Sequence, residues 1–352
     1  MEKKFMTGNE AIAEAAIQAG CRHFFGYPIT PQSEIPEYMS KCLPEVGGVY
    51  LQAESEVAAI NMLFGAAGAG ARVMTSSSSP GISLMQEGIS YIAAAQLPCV
   101  IVNIMRGGPG LGGIQPSQSD YFQATKGGGH GDYHLLVLAP HTVQEAVSLT
   151  IDAFDLADKY RNPVMILGDG YMGQMMEPVE FKKPTPPKLP AKTWALTGTK
   201  DHPRNVIKTL YLDPEALEKV NLKINRKIQE MIKNEVRVET YQIDDAEVVI
   251  AAYGTVARIA KTAIKVLREK GIKAGLVRPI SVFPFPYATF EKIANKVKKF
   301  LVVEMSFGQM LEDVKLGICG KAKIRFYGRT GGMVPTYDEI ITEIEKLVKE
   351  AN

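Results

Sequence analysis

The stretch Phe25-Gly26-Tyr27-Pro28-Ile29-Thr30-Pro31 decides how we interpret this chain. The apolar run from Arg22 to Phe25 predicts a strand that leads into a glycine and then into two prolines around one threonine. Pro31 suits the first position of a helix and Thr30 suits the N-cap, so we expect a helix over 31–43. Many such turns only cap a helix. Here the turn would present a hydroxyl and a helix N-terminus at the sheet edge where α/β proteins bind anionic ligands.

The composition is that of a globular protein of about two domains, with 352 residues, 46% hydrophobic and 22% charged. A net charge of +2 gives no basic field for nucleic acid. The longest apolar stretch, 91–105, is interrupted by Gln96, Pro98 and Asn103, so it does not predict a membrane span. Since the first residues do not resemble a signal peptide either, we expect a cytoplasmic protein that binds neither nucleic acid nor membrane.

The cysteines do not form a metal-binding or redox pattern. There are four, and none lies near another in the sequence: Cys21, Cys42, Cys99 and Cys319. Iron–sulfur and zinc sites need clustered thiolates. We therefore predict buried free thiols and no redox centre on this chain.

Short apolar strands alternate with helices in the first half of the chain, which predicts βαβ units and a mostly parallel sheet. Thr142 followed by Glu145 predicts a capping box at the start of the last helix of this series. The other predicted helices span 7–19, 56–70 and 80–95, and the predicted strands span 22–25, 48–52, 72–76, 99–105, 134–138 and 164–167.

A proline-rich connector separates this half from a second α/β region. Prolines 178, 184, 186, 187 and 190 predict an extended linker, followed by an irregular segment and a charged helix over 214–239. The strand–helix alternation resumes near residue 245. We therefore divide the chain into 1–177, 178–244 and 245–352, and we find no catalytic cluster in the last part.

Two carboxylates, Glu54 and Glu56, lie where a predicted strand passes into the helix over 56–70. Acidic residues commonly stabilise a helix N-terminus, by roughly 0.3–1 kcal/mol, without any catalytic role. The following helix is almost entirely apolar, however, so we expect it to be buried on most sides and a glutamate at its start to be poorly solvated. Burial favours the neutral form of a carboxylic acid, and this suits the residue to proton transfer.

Arg106 follows the strongest predicted strand and precedes a glycine-rich loop, Gly107 to Gly113. The loop formally matches the G-x-G-x-x-G dinucleotide motif, but no helix start follows the glycines, so we discount that match. A guanidinium at the root of such a loop can bind a carboxylate bidentately. Pairing with a structural carboxylate is an equally good interpretation of the spacing.

Three further motifs carry weaker signals. Gly168-Asp169-Gly170 begins a thiamine diphosphate–Mg²⁺ signature, but the Asn pair that should follow is missing, so we interpret Asp169 as a strand-end residue. The loop Thr75 to Gly81 lacks the lysine of a P-loop and the flanking glycine of a nucleophile elbow, although it could line a site. The loop Gly127 to Asp132 contains a single histidine, His130, and is weak as a metal site.

Taken together, these motifs resemble the alpha subunit of the 2-oxoacid:ferredoxin oxidoreductases over almost the whole chain. The matching segments are Tyr27 to Pro31, Glu54 to Glu56 and Met105 to Pro109. The region from 245, including Val303 to Gln309, looks like the C-terminal domain of transketolase-like enzymes. The expected fold is therefore α/β: a pyrimidine-type thiamine-diphosphate-binding domain followed by a transketolase C-terminal-like domain.

Two short segments, Gln32 to Pro36 and Gly128 to Asp132, look most like the branched-chain (2-oxoisovalerate) members, with 2-oxoglutarate members close. The resemblance implies oxidative decarboxylation of a 2-oxoacid to acyl-CoA and CO₂, with ferredoxin reduced. A nicotinamide-dependent dehydrogenase and a non-catalytic scaffold subunit are the alternatives from other functional classes.

The resemblance also implies roles for individual residues. Glu56, chosen over Glu54, would hydrogen-bond the aminopyrimidine ring of thiamine diphosphate and promote its imino form, with Tyr27 and Pro28 beside the cofactor. Thr30 and Arg106 would hold the substrate carboxylate, and Ile29 would contact the substrate.

The missing Asn pair and the scattered cysteines imply that other chains complete the enzyme. A beta subunit would carry the diphosphate and Mg²⁺, and iron–sulfur clusters would lie on partners. A gamma subunit, a small ferredoxin-like iron–sulfur subunit and ferredoxin itself are expected partners, with coenzyme A as co-substrate.

Overall fold

The structure is a computed structural model that describes residues 3–181, 189–200 and 202–350. Pro184, Pro186 and Pro187, on which the predicted extended linker largely depends, lie outside these ranges. Described residues between 189 and 213 contain neither helix nor strand, as predicted. All four cysteines are free thiols, also as predicted, but the prediction that they are buried is wrong for two of them, since Cys42 is half-buried and Cys319 is exposed. Among the described residues, every helix is too short or too polar to cross a lipid bilayer.

The first half of the chain contains, in order, β1 (Lys4–Thr7), α1 (Gly8–Gln18), β2 (His23–Gly26), α2 (Glu34–Cys42), a short 3-10 helix (Pro44–Val46), β3 (Val49–Gln52), α3 (Glu56–Gly68), β4 (Val73–Ser77), α4 (Ser79–Ala94), β5 (Cys99–Met105), α5 (Tyr121–Thr125), β6 (Leu136–Leu138), α6 (Val143–Tyr160), β7 (Pro163–Asp169), α7 (Gly170–Gln174) and β8 (Met176–Val179). The remainder contains α8 (Pro214–Asn234), β9 (Val238–Tyr241), β10 (Val248–Ala251), α9 (Gly254–Glu269), β11 (Ala274–Pro279), β12 (Ser281–Phe283), α10 (Tyr287–Lys296), β13 (Lys299–Glu304), α11 (Gln309–Ile318), β14 (Lys323–Gly328) and α12 (Tyr337–Lys349).

A seven-stranded sheet in the order β12-β6-β7-β5-β4-β2-β3 forms the centre of the first half. All of its strand pairs are parallel except β12 with β6, so the predicted mostly parallel sheet is confirmed. Successive residues of β4 face opposite cores: Val73 packs on the side of α3 and α4, and Met74 packs on the other side. The carboxyl ends of β2, β4 and β5 consequently meet at one edge.

The predicted helix start at Pro31, with Thr30 as its N-cap, is wrong. Residues 29–32 form a turn in which the Gln32 amide donates to the Ile29 carbonyl, and α2 begins only at Glu34. The Pro31 carbonyl accepts 2.8 Å and 3.3 Å hydrogen bonds from the side-chain amides of Asn9 in α1 and Gln174 in α7. These contacts from distant elements hold Pro31 outside the helix.

The second half forms a five-stranded sheet in the order β14-β13-β10-β11-β9, parallel except for β9. The predicted extension of the charged helix to Glu239 is wrong, since α8 ends at Asn234 and β9 follows. Alternating β-branched residues favour a strand there, and Glu239 pairs with Arg278 of the neighbouring β11. Ile224, Ile228 and Met231 of α8 pack on the first core.

One strand from the second half of the chain and one buried glutamine connect the two sheets. β12 leaves the second half of the chain and pairs antiparallel with β6 at the edge of the first sheet. The fully buried Gln118 side chain donates to the Tyr253 carbonyl at 3.0 Å and accepts from the Met305 amide at 3.0 Å. Its backbone amide donates to the Met305 carbonyl at 2.9 Å. The loop that follows Arg106 is therefore attached to the ends of β10 and β13.

Candidate active site

Glu56 begins α3 with its side chain inside the protein. Ser55 caps the helix by accepting from the Ala58 amide at 3.2 Å, and this places Glu56 in the first turn. Glu56 is 5% exposed, whereas Glu54 is exposed. Within the described residues, the Glu56 carboxylate makes no hydrogen bond to a protein group. A buried carboxylate without a protein partner fits a residue whose partner is a ligand.

The helix that Glu56 opens is less enclosed than predicted. We expected α3 to be buried on most sides, but Val57 and Met62 are 45% and 37% exposed, with Asn61 and Gly65 also at the surface. The interpretation is wrong because only one face of α3 packs on the sheet and α4. An apolar face left in solvent by one chain is typical of a surface that another protein covers.

Arg106 follows the last residue of β5 and is 6% exposed. Its Nη1 donates to the Thr30 carbonyl at 2.9 Å, and its Nη2 donates to the Leu111 carbonyl at 3.0 Å. Its Nε is buried without a partner. No carboxylate of the described residues lies within 4.0 Å of the guanidinium. The alternative prediction, that Arg106 pairs with a structural carboxylate, is therefore wrong. The positive charge is left for a ligand to neutralise.

The glycine-rich loop is closed at its base. Arg106 and Pro116 form an isolated antiparallel bridge, and the Gly107 amide donates to the Gln115 carbonyl at 2.9 Å. After the glycines, the next helix is α5, which begins only at Tyr121. The discounted dinucleotide motif therefore lacks the helix it would need.

A polar network that sequence reasoning missed fixes the start of this loop. The Ser79 hydroxyl donates to the Asp120 carboxylate at 2.6 Å and accepts from the Arg106 amide at 3.0 Å. Asn103 donates to the same carboxylate at 3.0 Å. Burial raises the pKa of Asp120, while the hydrogen bonds from Ser79 and Asn103 lower it in part. Asp120 is far from these partners in the sequence, and no local pattern indicated it.

The structure brings the predicted residues to one edge of the sheet. Arg106 contacts Thr30 directly, and both the Arg106 amide and the Glu56 carboxylate lie against the first turn of α4, at Ser79 and Gly81. In the turn after β2, Tyr27, Pro28 and Thr30 are exposed and Ile29 is half-buried. Among the described residues, no hydrogen bond or ion pair joins this turn to Glu56.

Asp169 is a strand-end residue, as interpreted from the sequence. It ends β7, and its Oδ1 accepts from the Tyr171 and Met172 amides at 2.9 Å and 3.1 Å. Burial raises its pKa, and these and other hydrogen bonds lower it in part. The carboxylate is thus used to cap α7.

A cavity of about 590 Å³ opens beside Thr30. Its walls come from the turn after β2, the end of the glycine-rich loop and α7. It is lined by Thr30, Pro31, Glu34, Ile114, Gln115, Pro116, Gly170, Tyr171, Gln174 and Met175. This lining includes one carboxylate and no lysine, arginine or histidine.

Comparison with known proteins identifies the family. The family model described as "Pyruvate flavodoxin/ferredoxin oxidoreductase, thiamine diP-bdg" matches residues 14–243, and "Pyruvate:ferredoxin oxidoreductase core domain II" matches residues 246–340. The chain belongs to the 2-oxoacid:ferredoxin oxidoreductases. It is therefore an enzyme subunit of a thiamine diphosphate-dependent family, and the recognition made from its motifs is confirmed.

Two relatives in Methanothermobacter marburgensis span nearly the whole chain. A ketoisovalerate oxidoreductase subunit, VorB, is 48% identical and covers 100% of both chains. A 2-oxoglutarate synthase subunit, KorA, is 38% identical over 97% of this chain and 98% of the relative. Since both are named as subunits, the family enzyme contains more than one kind of chain.

Solved structures confirm the predicted fold. A 2-oxoglutarate:ferredoxin oxidoreductase from Magnetococcus marinus, with 2-oxoglutarate, coenzyme A and succinyl-CoA bound, has a TM-score of 0.87 and 28% identity. The match covers 99% of this chain and 66% of that chain. A split-gene transketolase, at 14% identity and TM-score 0.63, shares the fold over 98% of this chain and 99% of that chain.

Proposed function

We propose that this chain is the alpha-type subunit of an enzyme that oxidatively decarboxylates 2-oxoisovalerate (3-methyl-2-oxobutanoate) and related branched-chain 2-oxoacids. The products would be the acyl-CoA, CO₂ and reduced ferredoxin. The observation that carries the proposal is that Glu56 and Arg106 are both buried at one edge of the sheet. No oppositely charged protein group among the described residues neutralises either side chain. The 48% identity to a ketoisovalerate oxidoreductase subunit supports the substrate class.

The buried Glu56 carboxylate fits the cofactor of this family. When bound, thiamine diphosphate supplies the nucleophilic carbon and the electron sink for decarboxylation. Glu56 would hydrogen-bond a nitrogen of the aminopyrimidine ring and hold or release the proton at its carboxylate. Tyr27 and Pro28, exposed in the turn after β2, would lie beside the ring.

Arg106 and Thr30 would bind the carboxylate of the oxoacid. The free Nε of Arg106 and the exposed Thr30 side chain are the available donors, while Nη1 and Nη2 hold the guanidinium in place through backbone carbonyls. Because the guanidinium is desolvated, its attraction for an anion is stronger than that of a surface arginine. Ile29 would contact the substrate next to Thr30.

The cavity beside Thr30 supports an uncharged substrate side chain. Ile114 and Met175 provide apolar walls, and Glu34 would repel the second carboxylate of 2-oxoglutarate. Glu34 is already hydrogen-bonded by the side-chain amides of Asn9 and Gln174. 2-Oxoglutarate, the substrate named for the 38% identical relative, is the alternative that the experiment below distinguishes.

Partner subunits would supply the rest of the enzyme. Asp169, the acid of the incomplete Mg²⁺ signature, caps α7, so a beta subunit would hold the diphosphate and Mg²⁺. The apolar face of α3, with Val57 and Met62, is a suitable surface for that subunit. Iron–sulfur clusters would lie on a small ferredoxin-like subunit, alongside a gamma subunit, and coenzyme A would accept the acyl group in a cytoplasmic complex.

The test is an anaerobic purification of the tagged chain from its native host. We expect partner chains to co-purify, one with a complete Gly-Asp-Gly…Asn-Asn signature and one rich in cysteine. The complex should reduce a ferredoxin-like dye with 3-methyl-2-oxobutanoate and coenzyme A at a kcat/KM well above that for 2-oxoglutarate. A higher kcat/KM for 2-oxoglutarate would overturn the substrate assignment, and recovery of the chain alone would overturn the shared site.

A further inference from the structure

Gly81, in the first turn of α4, lies directly against the Glu56 carboxylate. A methyl group on Gly81 would stand 2.6 Å from Oε1 and 3.0 Å from Cγ of Glu56. Real Cβ atoms essentially never approach heavy atoms this closely, so a side chain at position 81 would displace the carboxylate. Gly81 is helical and has no positive φ, so the backbone conformation does not require a glycine here. What requires the absence of a Cβ is the space that the neighbouring side chains occupy.

Ser77, the last residue of β4, also borders the space beside Gly81. Its Oγ would be 2.1 Å from a Cβ on Gly81, it is fully buried, and it has no hydrogen-bond partner among the described residues. An unpaired buried hydroxyl costs roughly 1–3 kcal/mol, so its retention calls for a specific reason. The same Cβ would lie 2.6 Å from Oε1 of Glu56, so the Ser77 hydroxyl and the Glu56 carboxylate border one space beside Gly81.

We infer that Gly81 and Ser77 are positioning residues for Glu56. Gly81 leaves the space in which the carboxylate lies, and the Ser77 hydroxyl is available to hydrogen-bond it when the cofactor is bound. This inference rests on the proposed role of Glu56 toward the aminopyrimidine ring. It gives a specific role to the Ser-rich segment 75–81, for which the sequence predicted only that it could line a site, and which ends in Pro80-Gly81 at the start of α4.

Other glycines of the same helix pair provide matched controls. Gly88, two turns further along α4, would place a Cβ 2.5 Å from Cγ2 of Ile60 in α3, and the three atoms nearest to that Cβ all belong to Ile60. Gly65 in α3 is exposed, and a Cβ at that position would have no atom within 4 Å. Thr75, on the same face of β4 as Ser77, has a buried hydroxyl that also lacks a partner among the described residues.

The experiment compares Gly81→Ala, Gly88→Ala and Gly65→Ala in the assembled complex. The measurements are the melting temperature, the dissociation constant of thiamine diphosphate, and the exchange rate of the thiazolium C2 proton of the bound cofactor in D₂O. We expect both G81A and G88A to lower the melting temperature, and only G81A to slow exchange, by about 100-fold or more. G65A should leave all three unchanged.

Ser77→Ala keeps the test open if G81A fails to assemble, since it only removes an atom. S77A should slow exchange by about 10-fold, the loss of one hydrogen bond to a charged group, while Thr75→Val should not. Unchanged exchange in both G81A and S77A, or equal slowing in G81A and G88A, would overturn the inference. Glu56→Ala separates this outcome from failure of the proposed function, because E56A alone must slow exchange if Glu56 acts on the ring.

A double-variant cycle completes the test. If Gly81 acts through Glu56, adding G81A to E56A should slow exchange no further, because the group that Gly81 positions is already absent. Additive slowing would show that Gly81 affects the cofactor by another route.

Discussion

At the scale of single residues, the site is defined by charges that the fold buries but does not pair. Burial distinguishes Glu56 from its neighbour Glu54, whose side chain is exposed. Arg106 is held by two backbone carbonyls and keeps Nε free. Burying such groups without partners is unfavourable in the isolated chain, so their presence indicates that ligands complete them.

Replacing Glu56 with alanine should abolish most of the turnover without disturbing assembly. We expect kcat to fall by about 100-fold or more, since the carboxylate proposed to act on the aminopyrimidine ring is lost, while subunit composition by size exclusion is unchanged. Glu54→Ala is the control, because this neighbouring carboxylate is exposed; its kcat should match the wild type. Normal turnover in E56A would favour a non-catalytic scaffold role.

Replacing Arg106 with alanine should mainly raise KM for the oxoacid. If Arg106 binds the substrate carboxylate as proposed, loss of this desolvated cation predicts an increase of about 10-fold or more, measured by steady-state dye reduction over a range of oxoacid concentrations. Arg106→Lys should give a smaller increase, because it keeps the charge but loses the Nε donor and the guanidinium that the Thr30 and Leu111 carbonyls hold in place. An unchanged KM in R106A would reject the carboxylate role.

Introducing a cation into the cavity beside Thr30 should change substrate selectivity. Ile114→Lys should move the kcat/KM ratio toward 2-oxoglutarate by about 10-fold, because the lysine can pair with the distal carboxylate and reduces the apolar wall. Ile114→Met keeps the wall apolar and should leave the ratio near that of the wild type. If the I114K ratio does not move, the cavity does not receive the substrate side chain.

At the scale of elements, a buried ion network joins the start of α6 to β9 and β11. The Arg278 guanidinium, 2% exposed, pairs with Glu145 at 2.8 Å and with Glu239 at 2.7 Å. Glu145 also accepts from the His141 ring and amide. The Glu145 amide donates to the Thr142 hydroxyl, which is one half of the predicted capping box. The other half is absent, because the Glu145 carboxylate accepts from Arg278 and His141 and not from the Thr142 amide.

This network predicts a loss of stability in acid. Burial raises the pKa of Glu145, but hydrogen bonds from His141 and Arg278 outweigh that effect and lower the pKa from 4.5 to about 2. A lowered pKa in the folded state stabilises the fold above pH 4.5 and loses that contribution as the pH falls toward 2. Urea unfolding of the wild type should show this decline, and Glu145→Gln should be less stable at neutral pH with a flatter profile. An equally steep decline in E145Q would place the acid sensitivity elsewhere.

At the scale of the whole molecule, the second half of the chain acts as a support for the site-bearing loop. β12 extends the first sheet, and Gln118 connects the loop after Arg106 to the ends of β10 and β13. The loops of both halves therefore meet at the edge where Thr30 and Arg106 lie. Gly332 of the second half would place a Cβ 2.4 Å from the Gln115 side chain, so the contact is close.

Removing the Gln118 side chain should destabilise the molecule. Gln118→Ala leaves the buried Met305 amide unpaired, at about 1–3 kcal/mol, so the melting temperature should fall by several degrees. The Tyr253 carbonyl loses the hydrogen bond from Gln118 but still accepts one from the Ala257 amide. Gln123→Ala, which loses a side-chain hydrogen bond to Ser83 nearer the surface, should have a smaller effect. Equal melting temperatures of Q118A and wild type would show that other contacts hold the two halves together.

The sequence by itself determined most of the elements and the family. Apolar runs such as Cys99 to Met105 and the small-residue helix after Glu56 are local patterns, and local patterns report secondary structure because side-chain periodicity follows backbone geometry. The motifs around Tyr27, Glu56 and Arg106 were sufficient to recognise the thiamine diphosphate-dependent fold.

Only the tertiary structure decided how distant residues meet. Asn9 and Gln174 hold Pro31 outside the helix, β12 crosses to the first sheet, and Asp120 fixes the Ser79–Arg106 corner. Each of these depends on hydrogen bonds between residues far apart in the chain, whose partners become defined only when the helices and sheets pack. The contact of Gly81 with the Glu56 carboxylate is of the same kind, because a glycine in a sequence does not show which side chain occupies the space it leaves.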